Sequence, residues 1–238
     1  MPCDGGGVCE QGFIPHIYTQ AEIRTLLRTT RISQRNSDCR IDAVTLRTLI
    51  VFLYGTGALV GETCRLCLKD VDLKRGSVTF REGGFHRSRI ISIAPELKSY
   101  LGRYLRKRLK QKTNKTHLFV NRSGDALNRN TLMTTFKRLR RQSAILPRDG
   151  SRLAPRMHDL RDTFAVHRIT TWLRHGADLN RMLPALAVYM GQVCLGSTER
   201  YLSLTPERFR TQLDKLSPER GRRHWRDNSA LMKFLAEL

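Results

Sequence analysis

No apolar run in this 238-residue chain is long enough to cross a bilayer, and Met1 to Gly7 lack the basic-then-apolar order of a secretory leader. These absences argue against an integral membrane or secreted protein, so a cytoplasmic setting is expected. Cysteine is sparse, and the six residues Cys3, Cys9, Cys39, Cys64, Cys67 and Cys194 are scattered. Cys64-Arg65-Leu66-Cys67 is one CxxC without a second pair or histidines at ligand spacing, so small reduced side chains are the plainer reading. Acidic residues are also scarce, 21 against 43 Lys plus Arg, which leaves a net charge of +22. Such a field suits a polyanionic partner. Internal repeats, zinc-finger spacing and an RRM motif are missing as well.

What is present is an ordinary apolar fraction of 40%, enough for one large domain with a real core. The Gly-rich start is expected to be flexible over residues 1–18. Thr19-Gln20-Ala21-Glu22 then reads as a capping box opening a helix that carries Ile23, Leu26 and Leu27. Val44, Leu46, Leu49, Ile50, Leu53 and Tyr54 fall close to helical spacing until Gly55-Thr56-Gly57 breaks the run. Val71-Asp72-Leu73, Val78 to Arg81 and Ile90 to Ile93, separated by turns at Lys74-Arg75-Gly76 and Gly83-Gly84, predict a small antiparallel sheet. From Pro95 the periodicity is helical. The pattern predicts an α+β, mainly helical fold.

Three stretches concentrate the basic residues. Leu97, Leu101, Leu105 and Leu109 recur every four residues, with Arg103, Arg106, Lys107 and Lys110 beside them. A second stretch holds Lys137, Arg138, Arg140 and Arg141, and a third surrounds Arg220, Arg222, Arg223 and Arg226. Any one of them reads as a solvated face, but three in so basic a chain point to phosphate-backbone contact. Leu231, Phe234, Leu235 and Leu238 predict a short amphipathic helix over 229–238.

His158-Asp159-Leu160-Arg161 sets an imidazole and a guanidinium three residues apart, able to grip one phosphate. Around it stand Asp162-Thr163-Phe164-Ala165, Leu183-Pro184-Ala185-Leu186, Tyr189-Met190-Gly191 and Ser197-Thr198-Glu199-Arg200-Tyr201-Leu202. Upstream are Tyr54-Gly55-Thr56-Gly57, Gly61-Glu62, Asp70-Val71-Asp72-Leu73 and Phe85-His86-Arg87-Ser88-Arg89. In order and spacing this text, over roughly residues 15–215, resembles the catalytic domain of the tyrosine recombinases, the phage-integrase family.

The resemblance implies that family's catalytic-domain fold with its small sheet, and phosphoryl transfer without metal or nucleotide cofactor. A tyrosine attacks the scissile phosphate of duplex DNA, leaving a 3′-phosphotyrosine and a free 5′-hydroxyl. Cations must stabilise the transition state and a general acid, usually a hairpin lysine, must protonate the departing oxygen. By position, Tyr201 corresponds to the nucleophile, and His158 and Arg161 to the histidine and arginine of the second motif. Three positions depart. Thr56-Gly57-Ala58-Leu59-Val60-Gly61-Glu62 has Leu59 where the family's first arginine stands, and Gly84 replaces the hairpin lysine. Gly191-Gln192 replaces Gly-His, nine residues before Tyr201, by a side chain that cannot take up a proton. Arg87 or Arg89 is placed to move toward the missing cation, although an arginine makes a poor general acid.

The expectation is therefore a DNA-binding integrase homologue of a mobile element, at the nucleoid of a prokaryote, with impaired strand cleavage. A non-enzymatic accessory or a decaying mobile-element product is the alternative, and a basic RNA-associated protein explains the charge but not the motifs. The catalytic domain is expected over 19–215 and a basic tail over 216–238, with no room before Thr19 for the family's second, DNA-clamping domain. The implied partners are double-stranded DNA and, through the terminal helix, other recombinase protomers.

Overall fold

The computed structural model describes residues 14–32, 39–81, 88–110, 116–147, 154–192 and 196–206, the last group by backbone alone over 196–199. The Gly83-Gly84 turn, the basic stretch at 220–226 and the helix expected over 229–238 lie outside the described residues, as do Gly84 and Arg87.

Local chemistry sets the helix ends. In the capping box before α1 (Gln20–Ile32), the Thr19 N–H and hydroxyl both donate to Glu22 Oε2, at 2.7 and 2.8 Å. The segment ahead of it is tied down: Tyr18 is fully buried, its N–H donating to Thr163 Oγ1 and its hydroxyl to Arg156 O, both at 3.0 Å. The flexible stretch expected up to residue 18 therefore gives way to fixed structure before Tyr18. In α2 (Ala43–Thr56) the Asp42 carboxylate caps the Val44 and Thr45 N–H groups. The helix continues through Gly55, where Leu97 approaches closely, and stops at Gly57 in the left-handed region.

Apolar residues surround α2 on most sides, so it becomes the central helix, with α1, α4 (Pro95–Leu109) and α6 (Asp159–Arg174) packed against it. Leu46, Leu49, Ile50, Phe52 and Leu53 are buried there, and Phe52 meets Phe80 and Phe119 edge-on or tilted. Burial of each such side chain contributes about 1.5–3 kcal/mol. A second cluster gathers Phe164, Val166 and Ile169 of α6, Leu186 and Met190 of α7 (Leu179–Met190), and Tyr201 of α8 (Gly196–Ser203).

The sheet is antiparallel, in the order β1 (Val71–Asp72), β2 (Ser77–Phe80), β3 (Arg89–Ser92), with Val78 opposite Val71 and Ile91. Together with the short α3 (Val60–Arg65) and with α5 (Arg129–Gln142), these elements form the mainly helical α+β fold. On α4 the leucine row does not stay buried. Leu97 and Leu101 are inside, Leu105 is half-buried and Leu109 is 54% exposed. A four-residue step overshoots one helical turn by about 40°, so a row kept for three steps rotates out of the core. Tyr104 and Arg108 fill the buried stripe instead.

Candidate active site

Arg161 ties three segments together. Its Nη1 donates to Gly57 O at 2.6 Å and its Nη2 to Met190 O at 2.9 Å, joining the end of α2, the first turns of α6 and the end of α7. Gly57 and Gly191 end their helices with φ of 63° and 67°. A Cβ on Gly57 would overlap the Phe164 ring, and one on Gly191 would stand 2.8 Å from Arg89 Nη1, so both glycines permit close approach at the site. Arg161 is 7% exposed, and burial is the first cause lowering its pKa, opposed by Tyr201 and Glu62.

β3 brings Arg89 into the same region. Its guanidinium pairs with Glu62 through Nη1–Oε1 and Nη2–Oε2, both 2.8 Å, while Nε donates to Tyr189 O and the Phe80 ring lies 4.5 Å away. Burial pushes the Glu62 carboxyl up, but the Arg89 hydrogen bonds and charge more than reverse this, leaving its pKa below the usual carboxylate range. Leu59, at the N-cap of α3, is half-buried and gives the site only its N–H, donated to Glu62 Oε2 at 3.2 Å. Arg89 therefore does not stand free as a replacement for an arginine at position 59. It is committed to Glu62, a pair that the sequence motifs do not announce.

Tyr201 is 3% exposed, and Gln192 Nε2 donates to its hydroxyl at 3.1 Å. The hydroxyl thus accepts from Gln192 and directs its own proton elsewhere, with the buried Asp162 carboxylate facing it. Burial raises the Tyr201 pKa first and the Asp162 charge adds to it, so the phenol stays protonated at neutral pH. Asp162, whose own pKa burial raises, also lies 3.5 Å from Arg200 Nη2. Neither Asp162 nor Arg200 was marked by sequence reasoning. The only signal available was their position directly after Arg161 and directly before Tyr201.

His158 stands at the N-terminal edge of α6, exposed at its rim. The protein around the ring disfavours the imidazolium and lowers the pKa, Asp162 opposing this and Arg161 reinforcing it. His158, Arg161, Gln192 and Tyr201 are thus gathered where α6, α7 and α8 meet, and Leu59 borders them across Glu62. The surface cations divide differently. Arg103, Arg106 and Lys107 are exposed on α4, which packs on α2, and Lys110 is exposed at its C-terminal cap, while Lys137 and Arg141 are exposed on α5, which packs on α1 and α3. Arg138 and Arg140 are half-buried, donating to Cys39 Sγ and to Pro155 O, and so join elements as well as carrying charge.

The described family model, the phage integrase family, matches residues 17–208. This chain belongs to the phage integrase family. A phage-integrase relative in Sinorhizobium fredii, y4rB, named as an integrase/recombinase, is 28% identical over 219 residues, which cover 90% of this chain and 68% of that protein. A second from the same organism, y4rE, is 31% identical over 79% of this chain and 60% of that one. Tyrosine recombinase XerD of Staphylococcus saprophyticus is 29% identical, and the chain spans 63% of its length. Among solved structures, the XerA recombinase superposes with a TM-score of 0.64 at 25% identity, covering 87% of this chain and 66% of XerA. The Tn1549 transposon integrase gives a TM-score of 0.62 at 18% identity, covering 87% and 68%, a likeness of fold. This phage-integrase chain thus spans about two thirds or less of most of these relatives.

Proposed function

We propose that this chain binds duplex DNA as a tyrosine-recombinase homologue of a mobile element, and that on its own it cleaves DNA very slowly or not at all. The carrying observation is the half-built site: Tyr201, Arg161 and His158 gathered together, with Leu59 at the first-arginine position and Arg89 committed to Glu62. Structures of XerH on its difH substrate and of the Tn1549 integrase with circular intermediate DNA are of proteins with this fold, which supports DNA as the ligand.

In this reading Arg161 and His158 hold one phosphate, and the exposed Lys137 and Arg141 of α5 contact backbone phosphates nearby. No helix among the described residues is long and apolar enough to cross a membrane. The proposed DNA substrate places the protein's work in the cytoplasm, at the nucleoid. The neutral, buried Tyr201 phenol receives one hydrogen bond from Gln192 but faces the negative Asp162, an arrangement that disfavours the phenolate needed for attack. A fluorescence-anisotropy titration of unrelated duplexes in a salt series tests the binding half. Affinity should fall steeply and alike for all sequences between about 50 and 200 mM salt. Nearly constant affinity would reject phosphate-dominated binding.

A further inference from the structure

The end of α2 remote from Gly57 opens onto a cationic cleft that strand cleavage does not use. Its volume is about 340 Å³, and α1, α2 and α4 wall it with Arg31, Arg47, Tyr100, Arg103, Tyr104 and Lys107. Arg47 is fixed there, donating from Nε to the Tyr100 hydroxyl at 2.9 Å and from Nη1 to Leu27 O at 2.6 Å. Arg103 lies over the Tyr100 ring, 5.4 Å from its centroid. Tyr104 is held at the base by its hydroxyl, which donates to Leu118 O.

None of the four cations has a carboxylate partner among the described residues. The neighbouring carboxylate, Asp42, is turned to the N–H groups of Val44 and Thr45 as the cap of α2. Four converging positive charges repel one another, and an anion seated among them relieves that repulsion. A guanidinium already held by two hydrogen bonds, and another stacked on a tyrosine, lose little freedom when they bind.

We infer that this cleft is a second nucleic-acid site, holding the sugar-phosphate backbone of a DNA duplex other than the one at Tyr201. The inference rests on the DNA-binding reading above. Val44 and the cap Gly57 are thirteen positions apart along α2, about 20 Å at 1.5 Å per residue, so the cleft and the Arg161 cluster lie at opposite ends of one helix. The cations come from three helices and flank an open groove, a layout suited to successive phosphates of a strand rather than to one small anion. A reaction that joins two duplexes needs both on one assembly.

The test is native mass spectrometry of the full chain with a DNA hairpin in excess, comparing the parent with Arg103→Gln/Lys107→Gln. Both side chains are exposed, and circular dichroism checks that the fold is kept. The expected result is a monomer carrying two hairpins in the parent and one in the double variant. Persistence of the two-hairpin complex in the variant, or its absence in the parent, overturns the second site and leaves DNA binding standing. Weakened binding of the first hairpin, with a salt slope lower by about one per lost contact, assigns the cleft to the first duplex and also overturns it. Binding of no hairpin at all removes this inference together with the DNA-binding reading.

Discussion

Arg89 meets Glu62 fork to fork, with two N–O distances of 2.8 Å, and the two side chains are 13% and 3% exposed. A pair this buried is costly to break from one side, because the remaining charge is stranded away from water. Glu62→Gln or Arg89→Met alone should lose about 3–5 kcal/mol of stability, and the double substitution less than the sum of the two. Urea unfolding measures this. A loss within the range of a surface pair, below about 1 kcal/mol, would contradict the structural role.

Gly57→Ala should also destabilise, because alanine is strained at a φ of 63° and its Cβ meets Phe164. The loss should exceed about 1 kcal/mol. It should be accompanied by weaker DNA binding, since the carbonyl that anchors Arg161 moves with it. A thermal melt and a binding titration check both, and an unchanged pair of values would contradict the arrangement.

The pH dependence of DNA binding has a defined sign. The His158 pKa is lowered, first by the protein that covers part of its otherwise exposed ring and then by Arg161 and Arg156, so the free protein carries a neutral imidazole at pH 7. A phosphate beside it favours the protonated ring. DNA affinity should therefore rise as pH falls from neutrality through the ordinary histidine range near about 6.5 and below. His158→Gln should flatten that rise. Folding moves in the opposite sense: the lowered pKa makes the unfolded chain bind more protons, so stability is full above about 6.5 and declines as pH falls toward the folded value. Parallel pH profiles of parent and variant that rise equally would contradict a phosphate contact by His158.

Much of this was legible in the sequence. The Thr19 capping box, the stop at Gly57 and the apolar strand runs around Val78 and Ile91 are local signals, and local physics decided them. The motif spacing marked Arg161, Gln192 and Tyr201, which the fold brings together. What could not be read were contacts between distant segments. The Arg89–Glu62 pair spans 27 residues and the Arg161–Gly57 bond 104, and neither leaves a periodic trace. The four-residue leucine row on α4 misled because a straight helix repeats every 3.6 residues. Tyr18 was assigned to a flexible segment because its anchors, Thr163 and Arg156, lie far along the chain.

Leu59→Arg together with Gly84→Lys should restore part of the missing chemistry, a cation at the phosphate and a general acid for the leaving oxygen. Removing one such donor costs on the order of 10²–10³ in rate, and removing a positioned acid about 10²–10⁴. These losses act on one transition state and need not add. The expected gain is largest in the double variant, and it should vanish when Tyr201→Phe is added. No gain in any combination would contradict the matching of these positions.

The central claim, that this chain holds DNA without cutting it efficiently, is tested most directly by incubation with a nicked suicide substrate followed by a denaturing gel. The cleaved end cannot be rejoined in such a substrate, so even slow attack by Tyr201 accumulates as protein covalently linked to DNA. The account predicts no shifted band, or only a trace after long incubation, under conditions where the same duplex is fully bound. A strong, rapidly formed band that disappears in Tyr201→Phe would contradict it.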